Sequence, residues 1–120
     1  MLASNETTAY KAADIIAGDS PAIATENGTL ASGQNLPDRA VIGLITASKK
    51  LTQCNPGASD GSQVPVGILV HATDASSGDK NVQFYKAGNF FADALNWHSG
   101  FDSAEKKAAA FDGTAIVIRQ

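Results

Sequence analysis

The sequence predicts a mainly β domain, barrel-like or clip-like, with one short helix and an extended N-terminal arm. Three observations lead to this fold class. From Leu36 onward, short runs rich in Val, Ile and Phe alternate with turn residues about every 8–12 positions, a spacing typical of small all-β domains. One stretch, Ala104–Ala110, is rich in strong helix formers. The first 40 residues contain too few apolar side chains to form a core of their own.

Length and composition restrict the function classes. The chain has 120 residues, of which 43% are hydrophobic, and a formal net charge of −3. This length fits one domain, and the mild acidity argues against a nucleic-acid-binding protein, which needs clustered Lys and Arg. No apolar run approaches the roughly 20 residues of a membrane span, and the first residues do not have the pattern of a signal peptide. Because Cys54 is the one cysteine, it cannot form an internal disulfide. Taken together, these features lead us to expect a soluble domain without disulfides, made inside the cell.

The N-terminal segment differs from the rest of the chain in composition. Ile, Leu, Val and Phe account for 6 of the first 40 residues and for 20 of the remaining 80, and of the eight aromatic residues only Tyr10 precedes residue 41. The first 40 residues also carry five acidic and two basic groups. We interpret residues 1–35 as a flexible arm and residues 36–120 as the β domain. The alternative interpretation is an ordinary frayed N-terminus.

A predicted hairpin opens the β domain. Val41–Thr46 is a β-branched run of the length of a buried strand, and after a turn that contains two lysines Leu51–Cys54 forms its hairpin partner. Asn55–Ser62 is dense in turn-forming residues and predicts a loop. Val64–Val70 is the next strand. Its Pro65 indicates an edge strand or a strand start, because proline cannot donate a ladder hydrogen bond.

The remaining strands are shorter and interrupted by turns. Asp74–Asp79 reads as a polar turn, and Val82–Tyr85 as a weakly alternating strand. Ala87–Asn89 predicts a turn that leads into Phe90–Phe91. Thr114–Ile118 is the last strand.

One helix is expected between these strands. Asp102 and Glu105 have the spacing of a capping box, in which side chains accept hydrogen bonds from free backbone N–H groups at the start of a helix. Ala104–Ala110 supplies the helix-forming residues. Gly113 follows at the position where a left-handed conformation ends a helix.

The sequence offers little for catalytic or metal chemistry. Cys54 with His71 or His98 could form a Cys–His dyad, but Cys54 lies at a predicted strand end without the electropositive surroundings that activate a thiol. Neither histidine is part of a metal-ligand spacing, and the glycine-rich loops that hold phosphates are missing. We therefore expect a binding or structural domain, with no catalytic activity, no metal and no cofactor.

Large aromatic side chains are the candidates for the core. We expect Phe84, Trp97 and Phe111 to be packed inside the subunit, because large aromatics contribute most of the area of a small core. Two other functions remain open at this point. One is a secreted or surface carbohydrate-binding β domain that uses Trp97 as a sugar platform, and the other is a small cysteine-dependent enzyme that uses Cys54.

Five motifs follow one another in the second half of the chain, and their order and spacing are specific although each is weak alone. They are Val66–Leu69, Phe84–Phe90, Leu95–Trp97, Glu105–Lys107 and Ala110–Ile116. In this order they resemble the lambdoid phage head decoration (capsid-stabilising) protein family. Leu51 after a lysine pair is similar to the family's Lys-Leu strand. Glu6-Thr7 followed by Tyr10 looks like the start of the family's arm.

The resemblance implies a β-clip (β-tulip) fold and a homotrimer that binds an expanded icosahedral shell at its three-fold and quasi-three-fold sites. The trimer would stabilise the shell against the pressure of packaged DNA. The resemblance further implies that the arm becomes ordered on the shell by adding a strand to the major capsid protein, a mode that needs backbone groups more than apolar side chains. The arm residues expected to bind the capsid are Glu6, Thr7, Thr8, Ala9 and Tyr10.

The resemblance also implies where the protein acts. It would be made in the cytoplasm of the host bacterium and would end on the outer surface of the virion capsid. It would contact neither nucleic acid nor membrane directly, and it would need no cofactor.

Overall fold

A computed structural model of the chain describes residues 22–119, which are mainly β-structure with one short helix. The strands are β1 (Ala24–Leu30), β2 (Asn35–Leu36), β3 (Val41–Leu44), β4 (Leu51–Gln53), β5 (Pro65–Leu69), β6 (Thr73–Asp74), β7 (Lys80–Phe91) and β8 (Ala115–Arg119). A 3-10 turn, Ala92–Ala94, follows β7, and helix α1 spans Ala104–Ala109. The predicted mainly β, barrel-like fold with one short helix is confirmed, while the predicted extended arm precedes the described residues.

Five of the strands close into a small barrel. The main sheet has the order β1-β4-β3-β5-β7-β8, and β1 pairs in addition with β7, which closes the ring. The antiparallel β1–β7 ladder runs along the whole of β1, whereas β1 and β4 meet at the single pair Leu30–Leu51. Strand β8 lies parallel to the second part of β7. Strands β2 and β6 form a separate two-stranded sheet.

Neighbouring residues of the barrel strands point into two different apolar clusters. In β3 Ile42 points into the barrel and Val41 points outward, because successive side chains of a strand lie on opposite faces. The cluster inside the barrel, here the barrel core, consists of Leu30, Leu36, Ala40, Ile42, Leu51, Leu69, Ala75, Val82 and Phe84. The cluster outside the wall, here the outer core, consists of Val41, Cys54, Ile68, Leu95, Phe101, Phe111 and Ile116. Burial on both faces explains why β3 and β5 are continuously apolar instead of alternating.

Strand β1 lies within the segment that the composition assigned to a flexible arm. The expectation of weak structure was wrong for residues 24–30. Two features compensate for the lack of apolar side chains there: the long backbone ladder to β7, and Leu30, which is fully buried in the barrel core. Composition over a 40-residue window does not detect a strand that one buried leucine and its backbone hydrogen bonds hold in place.

Strand β7 continues through the position where a turn was predicted. It runs from Lys80 to Phe91 without interruption, so the predicted turn at Ala87–Asn89 was wrong. The second part of the strand is paired with β8, which residue-level turn preferences could not reveal. The glycine in that turn signal does have a backbone role, because Gly88 has a φ of 141°, which favours glycine.

Helix α1 begins one residue later than the capping motif predicted. The N-cap is Ser103, whose Oγ accepts a hydrogen bond from the backbone N–H of Lys106 at 3.2 Å. Asp102 instead forms an ion pair with Lys106 Nζ at 2.9 Å. The capping box of Asp102 and Glu105 was therefore wrong, because the adjacent serine hydroxyl satisfies the free N–H. Gly113 adopts a φ of 83°, the left-handed conformation expected after the helix.

Candidate functional site

The residues predicted to bind the capsid precede the described part of the chain. Glu6, Thr7, Thr8, Ala9 and Tyr10 lie outside residues 22–119. The structure therefore shows the surface from which the arm continues, and not the arm itself.

The aromatic residues predicted for the core lie in two different places. Phe84 is buried in the barrel core and Phe111 in the outer core, at 7% and 2% exposure. Trp97 is half-buried and packs against the outer core, with its ring centroid 5.0 Å from that of Phe101. Its Nε1 donates a hydrogen bond to the carbonyl oxygen of Ala92 at 2.9 Å. With its N–H bonded and its ring packed against aromatic neighbours, Trp97 is poorly placed to stack on a sugar.

Cys54 and the two histidines show no catalytic arrangement. Cys54 is fully buried in the outer core, and its Sγ donates to the carbonyl oxygen of Gln63 at 3.5 Å. Burial raises the pKa of the thiol to about 12, so the nucleophilic thiolate is a minor species at neutral pH. His71 is exposed, while Nδ1 of His98 accepts a hydrogen bond from the Gly100 N–H at 2.9 Å.

Residues 22–119 contain no group of three His, Cys, Asp or Glu side chains that could hold a metal ion. Within the same residues, no helix has the length and apolarity needed to cross a membrane.

Several carboxylates are held in turns by their own neighbours. Asp60 Oδ1 accepts hydrogen bonds from the backbone N–H of Ser62 at 3.0 Å and from its hydroxyl at 2.5 Å. The Ser62 side chain and backbone lower the pKa of Asp60, and Ser76 lowers the pKa of Asp74 in the same way. Asp79 differs, because its partners are distant in sequence: hydrogen bonds from Lys50 and from the Ser32 N–H lower its pKa. These carboxylates stabilise turns and are not arranged as a pair of acid and base.

Two grooves flank strand β1. The larger, of about 690 Å³, lies over the outer face of the β1–β7 ladder and is lined by amides and hydroxyls such as Asn27, Thr29 and Gln83, together with His71. The smaller, of about 450 Å³, lies where β1 separates from the rest of the barrel wall. We call it the seam groove. It is lined by residues 26–28 of β1 and by Leu44, Leu51, Val66 and Phe84, together with two lysines.

Four large apolar side chains of residues 22–119 are exposed: Val64, just before β5, and three that lie just before β1 or on β7 and β8. Ile23 is 67% exposed and Phe91 is 62% exposed, while Val117 on β8 is 41% exposed. Ala24 pairs with Ala87 of β7, and Val117 pairs with Asn89 two residues further along that strand. Phe91 and Val117 therefore share one face of the β7–β8 pair, whereas Ile23 lies beside Gly88 on the other face, since a Cβ added at Gly88 would lie 3.2 Å from Ile23 Cγ1. We call these three exposed side chains the arm-entry surface, because large exposed apolar side chains can mark interaction sites.

The arm-entry surface was not among the features predicted from the sequence. A signal was present in β8, where Ile116, Val117 and Ile118 are consecutive. An edge strand cannot bury all three of these side chains, and the structure exposes Val117. Phe91 follows Phe90 in the same manner, with Phe90 packed against the outer core.

A comparison with protein-family models gives one match, which covers nearly the whole chain. The family described as bacteriophage lambda head decoration protein D matches residues 5–118. The match includes the predicted arm residues as well as all the strands of the barrel. Among curated proteins, none matches the chain.

Proposed function

Because this chain belongs to the bacteriophage lambda head decoration protein D family, we propose that it binds the outer surface of a phage shell as a homotrimer and stabilises the shell. The trimers occupy three-fold and quasi-three-fold sites of the expanded icosahedral capsid. The family is one of structural proteins, and this function requires no catalysis. The family match over residues 5–118 is the observation that carries the proposal.

The arm-entry surface supports this proposal independently of the family. Ile23 is exposed one residue before β1, where the arm continues, and Phe91 and Val117 are exposed on one face of the β7–β8 pair. A partner bound by the arm would come to lie next to these side chains. Their burial would then add hydrophobic free energy to the backbone hydrogen bonds of the arm.

The proposed mechanism is mechanical. Each subunit adds a strand formed by residues around Glu6–Tyr10 to the major capsid protein, and Tyr10, the one aromatic residue of the arm, anchors it. A trimer holds three such strands at once, so its binding is much tighter than that of a single arm. Since each trimer bridges neighbouring capsomers, rupture of the shell under internal DNA pressure must also break these contacts.

Co-sedimentation with expanded shells tests the proposed function. Full-length protein should sediment with the shells, and protein that lacks residues 1–20 should lose most of its binding. This truncation leaves β1 intact, because the strand begins at Ala24, so the two proteins should melt at similar temperatures. Equal binding of both forms would show that the body of the protein, and not the arm, is the attachment site.

A point variant in the arm distinguishes the loss of the strand added to the capsid protein from the loss of the whole arm segment. Thr8→Pro removes one backbone N–H and the ladder bond that it would make, so it should weaken shell binding in part. Thr8→Ala keeps that N–H and serves as the matched control. If both variants bind as the wild type does, strand addition by this part of the arm is excluded.

A further inference from the structure

Strand β1 has one edge without a strand partner in the described part of the chain. Its first edge is paired with β7 along its whole length. Its second edge meets β4 at the pair Leu30–Leu51, and among residues 22–119 no strand pairs with that edge between Ala24 and Thr29. An edge of unpaired backbone N–H and C=O groups is a template for an added strand.

The seam groove lies directly beside this open edge. Leu51 and Phe84, from the barrel core, are among its lining residues, and so are the half-buried Leu44 and Val66. A Cβ added at Gly28 would lie 2.7 Å from Leu51 Cδ1, so the β1 backbone itself approaches the apolar wall. A strand added to β1 would therefore place every second side chain against apolar surface.

Charged groups at the seam groove define its preferred ligand further. Lys49 and Lys86 are both exposed and line the groove. The Lys86 ammonium is paired with Glu26 at 3.1 Å, and Lys49 lies on the turn between β3 and β4. A peptide with an apolar side chain followed or preceded by a carboxylate would match the wall and Lys49 together.

We propose that the seam groove and the open edge of β1 bind an extended segment of the shell subunit. This inference rests on the proposed function and deepens it, because it adds a second attachment point to the arm. Glu26 is 16 residues from Tyr10, the nearest proposed shell-binding residue, which is at most about 53 Å in an extended chain. A shell subunit that is held by the arm is thus tethered within reach of the groove, and this raises its effective concentration there above that of untethered occupants.

A photo-crosslinking side chain at Glu26 tests which chain occupies the groove. Glu26 is exposed and lines the groove, so a photoreactive residue there should crosslink to the shell subunit when the labelled protein is bound to expanded shells. The same residue at Glu105, which is exposed on α1, is the control and should give little product. Mass spectrometry of the adduct identifies the partner.

The possible results separate this proposal from the proposed function. A crosslink to the shell subunit supports the proposal. If the labelled protein sediments with shells but crosslinks to another copy of this chain, to its own arm or to nothing, the shell segment is not the occupant. If the unlabelled wild type does not sediment with shells, the proposed function fails and the groove proposal fails with it.

The shell affinities of two charge-reversal variants provide a second test of the seam groove. Lys49→Glu should weaken shell binding roughly tenfold, which corresponds to the loss of one favourable charge contact. Lys80→Glu makes the same change in net charge at the far end of the β1–β7 ladder, opposite Leu30, and should leave binding unchanged. Equal affinities for the two variants would contradict a role for the seam groove.

Discussion

Cys54 illustrates how burial decides the chemistry of a single side chain. Its thiol lies in the outer core, and burial raises its pKa to about 12 from a reference value of 9.0. We expect iodoacetamide to label Cys54 very slowly in the native protein at neutral pH and rapidly in denaturant, measured by mass spectrometry over time. Rapid labelling of the native protein would mean that the thiol is accessible and activated, as a cysteine-dependent enzyme requires.

The same thiol makes stability depend on pH at the alkaline end. Because the folded pKa is raised, the contribution of the buried thiol is fully present below pH 9. Above that pH the unfolded state releases its proton and the folded state does not, so stability should fall as pH rises toward 12. Urea unfolding at several alkaline pH values should show this fall in the wild type and a smaller one in Cys54→Ala.

Trp97 joins the outer core to the segment after β7. The side chain packs against Phe101 and Phe111 and donates its N–H to Ala92. Trp97→Ala should therefore reduce the free energy of unfolding by about 3 kcal/mol, toward the lower end of the range for aromatic truncation because the ring is half-buried. Urea unfolding measures this change, with Phe91→Ala as an exposed aromatic control. A loss no larger than that of the control would show that Trp97 contributes no packing.

At the scale of elements, local sequence signals located the strands with runs of β-branched residues, including β8, whose partner β7 is distant in the chain. The β3–β4 hairpin was predicted because β-branched runs flank a short turn, and Pro65 does stand at the start of β5. Strand β1 and the second part of β7 were missed because neither contains such a run. Both are held in the sheet by backbone pairing with distant residues, Ala24 opposite Ala87 and Ala87 opposite Ala115, and no local preference encodes such pairings.

The start of helix α1 provides a test at this scale. Ser103→Ala removes the hydroxyl that accepts from the Lys106 N–H, and loss of an N-cap typically costs about 1 kcal/mol. Hydrogen exchange of the Lys106 amide, followed by NMR, should accelerate about fivefold. Glu105→Ala, which changes the other residue of the predicted capping motif, should leave that exchange rate nearly unchanged. The opposite ranking would restore the capping box that the sequence suggested.

At the scale of the whole molecule, the motifs that suggested the family coincide with the outer core. Ile68, Phe90, Trp97 and Phe111 each belong to a different one of these motifs, and all four lie in the outer core or pack against it. The family could be recognised from sequence because this packing constrains residue types over a long stretch. The arm-entry surface and the seam groove could not be predicted from the sequence, since they depend on which side chains remain exposed after β1, β7 and β8 have paired.

The exposed surfaces also bear on the oligomeric state of the protein. We expect light scattering at micromolar concentration to give three times the chain mass of 12.3 kDa. Because the arm continues from the arm-entry surface, that surface should face the shell and not a neighbouring subunit. Phe91→Ser should then preserve the trimeric mass and weaken binding to shells, since it removes exposed apolar area from the contact.

The oligomeric state and the shell binding of Phe91→Ser together show which partner the arm-entry surface contacts. If Phe91→Ser binds shells more weakly and remains trimeric, Phe91 contacts the capsid. If the variant dissociates into monomers, the exposed phenylalanine lies between subunits, and the face that meets the shell must be sought elsewhere on the barrel. A wild-type protein that is monomeric at every concentration would contradict the trimer itself, and each arm would then have to hold the shell without the gain from multivalency.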